Sequence, residues 1–135
     1  MLPSRLAMAM LCGAGALIAA ACASTAPQNE LAGTRWRVVT LVGQTVTTHA
    51  PTLEFAGDSI AGSGGCNRYF GSYSIAGDTI GFTGMGATRM ACEIPIMQRE
   101  SAYLEALAAT RTFRRLGDTL VLMGARGETV MLRPE

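Results

Sequence analysis

Three short repeats of one turn chemistry dominate this chain: GDSI (57–60), GDTI (77–80) and GDTL (117–120). In each, a Gly-Asp pair separates two runs of mixed apolar and β-branched residues. Gly accepts the positive φ that a two-residue hairpin loop demands, so each repeat predicts a tight β-hairpin. The hairpins join PTLEF to SIAGSG, GSYSIA to TIGFTG, and TFRRL to TLVLMG. A further turn at GARGE (124–128) returns the chain into TVMLRP (129–134), and TRWRVVTLVG (34–43) reads as a strand before the first hairpin.

One segment breaks this pattern. PIMQRESAYLEALAAT (95–110) opens with Pro95, tolerated at a first helical position. Its apolar residues Ile96, Tyr103, Leu104 and Leu107 fall at helical spacing, which predicts an amphipathic helix packed on the sheet. Glu100, Glu105 and Arg99 are assigned to its solvated face. The fold expected is α+β and mostly β: a small antiparallel β-barrel or roll with one packed α-helix inserted before the last strands. A chain of 135 residues holds one such domain.

The N-terminus reads differently. Arg5 precedes the apolar run LAMAMLCGAGALIAAAC (6–22), which has the layout of an export signal and is short for a membrane span. Its end, IAAAC (18–22), resembles the lipobox of bacterial lipoproteins, with Ala19 where Leu is commonest. That resemblance implies cleavage before Cys22 and lipidation of its thiol, with multiple acyl chains giving a stable membrane anchor. Ala23 after the cysteine implies, by the same resemblance, an outer-membrane lipoprotein facing the periplasm. Residues 22–32 form a flexible tether, small, polar and Pro-containing, and the domain is expected to occupy 33–134, starting at Gly33.

Of the four cysteines, Cys12 leaves with the signal and Cys22 is the anchor, so Cys66 and Cys92 remain in the domain. In an oxidising compartment two remaining cysteines favour one disulfide. Removal of Arg5 leaves ten basic residues against 10 acidic ones. The arginines are scattered, so nucleic acid is not an expected partner.

The stretch GSGGCNRYFGSY (62–73) has the look of a site loop. Strand alternation places Asn67, Tyr69, Tyr73 and Ile75 on one face and Arg68 and Phe70 on the other. It lacks GxGxxG, GK[ST] and a following helix, so it is read as a strand-end turn rather than a phosphate loop. Asn67 is suited to satisfying loop backbone groups or to a left-handed conformation. The single histidine, His49, lies in a polar loop and makes a weak base for a Ser or Cys nucleophile. Cys66, Cys92 and His49 are an incomplete zinc set without CxxC spacing. The methionines at 85, 90, 97, 123 and 131 are read as core filling. No catalytic residue, metal or cofactor is assigned.

Taken together, LAGTRWRVVTLVG, PTLEFAGDSIAGSGGCNRYFGSYSIAGDTIGF, TRMAC, ESAYLEAL and GDTLVLMGARGETVMLRP resemble the META domain, the HslJ-like family of heat-shock lipoproteins. The likeness runs over about residues 31–134. It implies a compact β-rich domain with one packed helix, no known catalytic activity, and a role in envelope stress and antibiotic tolerance. Cys66 and Cys92 fall at the family's two motif cysteines, consistent with the disulfide. Asn67, Arg68, Tyr69, Gly71, Tyr73, Thr88, Arg89 and Met90 lie on or beside its signature positions, as binding or structural residues. The expected partners are the membrane, through the anchor, and an envelope protein or small ligand held in a barrel mouth or helix-sheet groove, with the domain monomeric. A chaperone-like or inhibitor-like module would instead expose an apolar patch at Tyr69, Phe70 or Tyr73.

Overall fold

The computed structural model describes residues 29–127 and 129–135, together with Gly15. Cys22, the lipobox-like IAAAC and most of the expected tether lie outside the described residues.

The described residues form nine strands and one helix in the order β1 (Arg35–Leu41), β2 (Gln44–Thr45), β3 (Thr52–Ala56), β4 (Ser59–Ser63), β5 (Arg68–Ala76), β6 (Thr79–Ala87), α1 (Ile94–Ala109), β7 (Thr110–Leu116), β8 (Thr119–Gly124) and β9 (Thr129–Pro134). All three Gly-Asp repeats are two-residue hairpin loops, closed by the pairs Ala56↔Ser59, Ala76↔Thr79 and Leu116↔Thr119. Gly57, Gly77 and Gly117 have φ of 62°, 62° and 61°, while the aspartates that follow stay at negative φ. This is the type II′ arrangement, whose twist matches that of the strands it joins.

Neighbouring strands pair antiparallel from β3 through β9, and β1 pairs with both β3 and β9, closing an eight-stranded barrel. Closure removes the long free edges that an open sheet of this size would carry. Alternate residues point inward: Trp36 and Val38 from β1, Leu53 and Phe55 from β3, Tyr69 and Tyr73 from β5, and Leu120 and Leu122 from β8 are buried together. Arg68 and Phe70 point outward, as alternation predicts.

The antiparallel order fixes which connections share an end. The three Gly-Asp turns and the start of β1 lie at one end; the β4–β5 loop and α1 lie at the other. Leu31, fully buried, closes the turn end. Nearby, the Asn29 side-chain amide donates to the Tyr73 hydroxyl and the Gly33 amide donates to the Phe55 carbonyl at 2.7 Å. Residues 29–32, ahead of Gly33, are thus packed onto the turn end of the barrel. A single apolar residue in a polar stretch carries no periodicity to announce that packing.

Helix α1 covers the opposite end, with Tyr103, Ala106 and Leu107 buried in the core. It stops where Thr110 turns extended; the Thr110 hydroxyl donates to the Ala106 carbonyl at 2.8 Å, and β7 begins. Two expectations are corrected. Glu100 is on the buried face of α1, at 7% exposure, and not in solvent. The methionines are not core fillers as a group: Met85 packs against the core, Met90 is exposed, and Met97, Met123 and Met131 are half-buried.

Candidate functional site

The motif stretch and helix α1 meet around one carboxylate. Glu100 Oε2 accepts hydrogen bonds from the backbone amides of Cys66, at 2.9 Å, and Asn67, while Oε1 accepts from Asn67 Nδ2 at 2.7 Å. Burial by itself would raise the Glu100 carboxyl; the hydrogen bonds from the Asn67 backbone, the Asn67 side chain and the Cys66 backbone outweigh it and hold the group below the ordinary glutamate value. The charge is thus stabilised without a cation.

Asn67 is equally committed. Its Nδ2 also donates to the Met90 carbonyl at 3.3 Å, and its Oδ1 accepts from the Met90 amide at 2.6 Å and the Thr88 hydroxyl at 3.0 Å. All four of its side-chain hydrogen-bonding positions are used. Thr88 Oγ1 in turn accepts from the Arg68 amide at 3.2 Å. The Cys66–Cys92 disulfide, 26 residues apart in sequence with Cα atoms 6.0 Å apart, ties the same two segments covalently.

The glycines of GSGG are there for space. A Cβ on Gly64 would lie 2.6 Å from Glu100 Cγ, and one on Gly62 would lie 2.1 Å from the Thr52 carbonyl oxygen. Gly64 lets the loop pass beneath α1, and Gly62 lets β4 lie against the Thr52 backbone of β3.

A second polar contact lies deeper. Tyr69 donates to the Thr52 carbonyl, and the Tyr69 and Tyr103 hydroxyls meet at 2.7 Å with their rings edge to face. Burial pushes both phenols well above their ordinary value, so both remain neutral. Among the described residues no buried side-chain nitrogen or oxygen lacks a hydrogen-bond partner.

The sequence-assigned residues therefore divide. Cys66, Asn67, Thr88 and Met90, with Cys92, form one network joining the β4–β5 loop, the segment before α1, and α1 itself, while Tyr69 is buried in the separate contact with Thr52 and Tyr103. Tyr73 is inward but remote, its hydroxyl donating to the Gly57 carbonyl at 2.6 Å at the turn end. Gly71 makes room for Met85, whose Sδ would lie 2.7 Å from a Cβ there. Arg68 and Arg89 are exposed and their side chains stand outside the network. The apolar patch considered for Tyr69, Phe70 and Tyr73 does not form: both tyrosines are buried, and the exposed Phe70 ring lies over Gly86, 2.7 Å from a Cβ position there. Nor do Asn67 and Arg89 converge in a binding mouth, because Asn67 is spent on the fold.

The helix-sheet groove does exist, at another place. A hollow of about 510 Å³ separates the β1–β2 hairpin from the first turns of α1, lined by residues that include Val42, Gln44, Gln98 and Arg99. Sequence reading missed it because β2 has only two residues, after a Val-Gly turn without the usual turn chemistry. Among the described residues no group of three or more His, Cys, Asp or Glu side chains is placed to hold a metal ion.

Comparison with known proteins places this architecture. No curated protein matches the chain. A protein from Burkholderia xenovorans, solved by NMR, is 28% identical, with 78% of this chain and 83% of that one covered and a TM-score of 0.64. A second NMR structure is 23% identical over 76% of this chain and 90% of that one, also with a TM-score of 0.64, and shares the fold. A DUF4847 family protein from Bacteroides vulgatus ATCC 8482 shares it at 13% identity and a TM-score of 0.57, covering 78% of this chain and 94% of its own. The META domain family matches residues 29–135, and the chain belongs to that family.

Proposed function

We propose that this chain is a non-enzymatic, lipid-anchored META-domain protein of the HslJ-like type in the bacterial envelope, contributing to stress or antibiotic tolerance by binding an envelope component. The observation that carries the reading is the Cys66–Cys92 bond: a structural disulfide suits an oxidising compartment, and it lies in a chain whose first residues have the layout of a lipoprotein signal. The non-enzymatic part is supported by the motif's polar groups, which are consumed in holding loops and helix together.

Intact mass spectrometry of the protein extracted from its native membrane, before and after reduction and alkylation, tests the anchor and the compartment together. The expected result is an acylated mass with Cys22 as the first residue, and alkylation of Cys66 and Cys92 only after reduction. An unacylated product, or cysteines that alkylate at once, overturns the matching half. Turnover of a generic hydrolase substrate, abolished by one point change, would overturn the non-enzymatic half.

A second reading, capture of a small ligand, is favoured by the hollow between the β1–β2 hairpin and α1, whose volume lies in the range of small-molecule sites.

A further inference from the structure

The hollow beside α1 has a chemistry of its own, and, on the ligand-capture reading, that chemistry defines the class of ligand. Its apolar surface comes from Leu41, Val42 and Val46 on the hairpin side and Ala102 on the helix. Its polar groups include the amides of Gln44 and Gln98, and its one charged lining residue is Arg99. Glu100, next in sequence, points away into the Cys66–Asn67 network.

Arg99 is held but not neutralised. One of its guanidinium nitrogens donates to the Thr48 carbonyl, and among the described residues it has no carboxylate in ion-pair range. A guanidinium carries five N–H donors, so most remain for a ligand.

Val42 adds an independent observation. It has φ of 46° and is followed by Gly43 at 79°, so the β1–β2 loop is a type I′ turn. Asn or Gly fits that first position; a β-branched side chain there is strained. Val42 nevertheless presents its isopropyl group at the rim of the hollow with 54% of its surface exposed. The fold gains little from that side chain, whereas an apolar ligand would bury it.

A second hollow of about 340 Å³ shares Gln98 and Ala102 with the first and continues along α1 past Ile94 and Met97, with Ile94 66% exposed. The two run together along α1 as one trough of mixed lining, apolar at Val42, Val46, Ala102 and Ile94 and cationic at Arg99. Glu105, at the far hollow, would further disfavour a second negative charge there.

We infer that this trough binds an amphipathic monocarboxylate with an extended apolar body, its carboxylate on Arg99 and its chain running across Val42 and along α1. Charge complementarity decides the sign, and the shape of the trough decides the body.

The test is an NMR titration of the full chain carrying Cys22→Ser, which removes acyl chains that would compete for the trough. Decanoate, decyltrimethylammonium and decanol are compared. Decanoate is expected to give saturable shifts at Val42, Gln44, Gln98, Arg99 and Ala102, with the cation and alcohol weaker. Arg99→Gln is expected to weaken decanoate by about ten-fold, as loss of a charge-assisted hydrogen bond does. Val42→Asn separates binding from folding: it should raise the thermal midpoint by about 3 °C or more while weakening decanoate roughly three-fold. Equal or stronger binding of the cation or alcohol at the same residues would overturn the carboxylate and leave a ligand trough. Silence of all three probes there, or shifts scattered over the barrel, would overturn the trough as a ligand site. Unchanged decanoate affinity in Val42→Asn would remove Val42 from the site. Because no acyl chain is present, none of these outcomes depends on the anchor, which the mass of the native protein decides separately.

Discussion

Glu100 illustrates what a single residue does in this fold. Its carboxylate takes three hydrogen bonds from a loop that has no regular structure of its own; a Gln there keeps one oxygen for the two backbone amides but sets an NH2 donor against the Asn67 Nδ2 donor. Glu100→Gln is expected to cost about 3 kcal/mol, within the range for hydrogen bonds to a charged group, read from urea unfolding at neutral pH. The pH dependence has a definite sign. The folded-state carboxyl titrates below its ordinary 4.5, so its contribution is complete above that value and is lost as pH falls through the lower folded-state value. Wild-type stability should therefore drop below pH 4.5 with a slope that Glu100→Gln lacks. The signal for this residue was present in the sequence: Glu100 falls four residues after Ile96 and three before Tyr103, on the apolar face. Charge suggested solvent where position indicated burial.

At the scale of elements, the Gly-Asp hairpins were legible because their turn chemistry is local: two residues decide the loop, and the flanking β-branched runs decide the strands. Helix α1 was legible for a similar reason, its expected span displaced by one residue from the observed Ile94–Ala109. The crossing of the β4–β5 loop beneath the helix was not, since it depends on partners more than 30 residues apart. Gly64→Ala tests that crossing. Its Cβ would press on the Glu100 side chain, and a cost of about 2 kcal/mol is expected in the same urea experiment, typical of overpacking at a closed contact. Gly57→Ala meets no neighbouring atom, so its expected cost of roughly 1 kcal/mol reflects only the positive φ. The difference between the two variants separates steric from conformational demand.

For the whole molecule, the barrel and the disulfide contribute separately. The core runs from Leu31 to Leu132 and includes neither cysteine, so the reduced protein is expected to stay folded. Reduction should nevertheless lower stability by about 3–4 kcal/mol in the chain-entropy account. For a domain of this size that corresponds to a fall in thermal midpoint on the order of 15 °C, measurable by differential scanning calorimetry with and without reductant. The anchor expected at Cys22 would leave the domain by way of Asn29, at the turn end, placing α1, the disulfide and the trough at the far end of the barrel.

By itself the sequence determined the three hairpins, the site of the helix, and the inward and outward faces of β5, and it pointed to Cys66 and Cys92 as the pair. Each is decided by neighbours within a few residues or by counting. Only the tertiary structure decided that β1 closes onto β9, that Leu31 seals one end, that Glu100 binds the motif loop, and that Val42 and Arg99 line one trough. The physical reason is common to all four. Closure and burial bring together groups far apart along the chain, and a charge or an isolated apolar residue acquires its role only from what the fold sets against it.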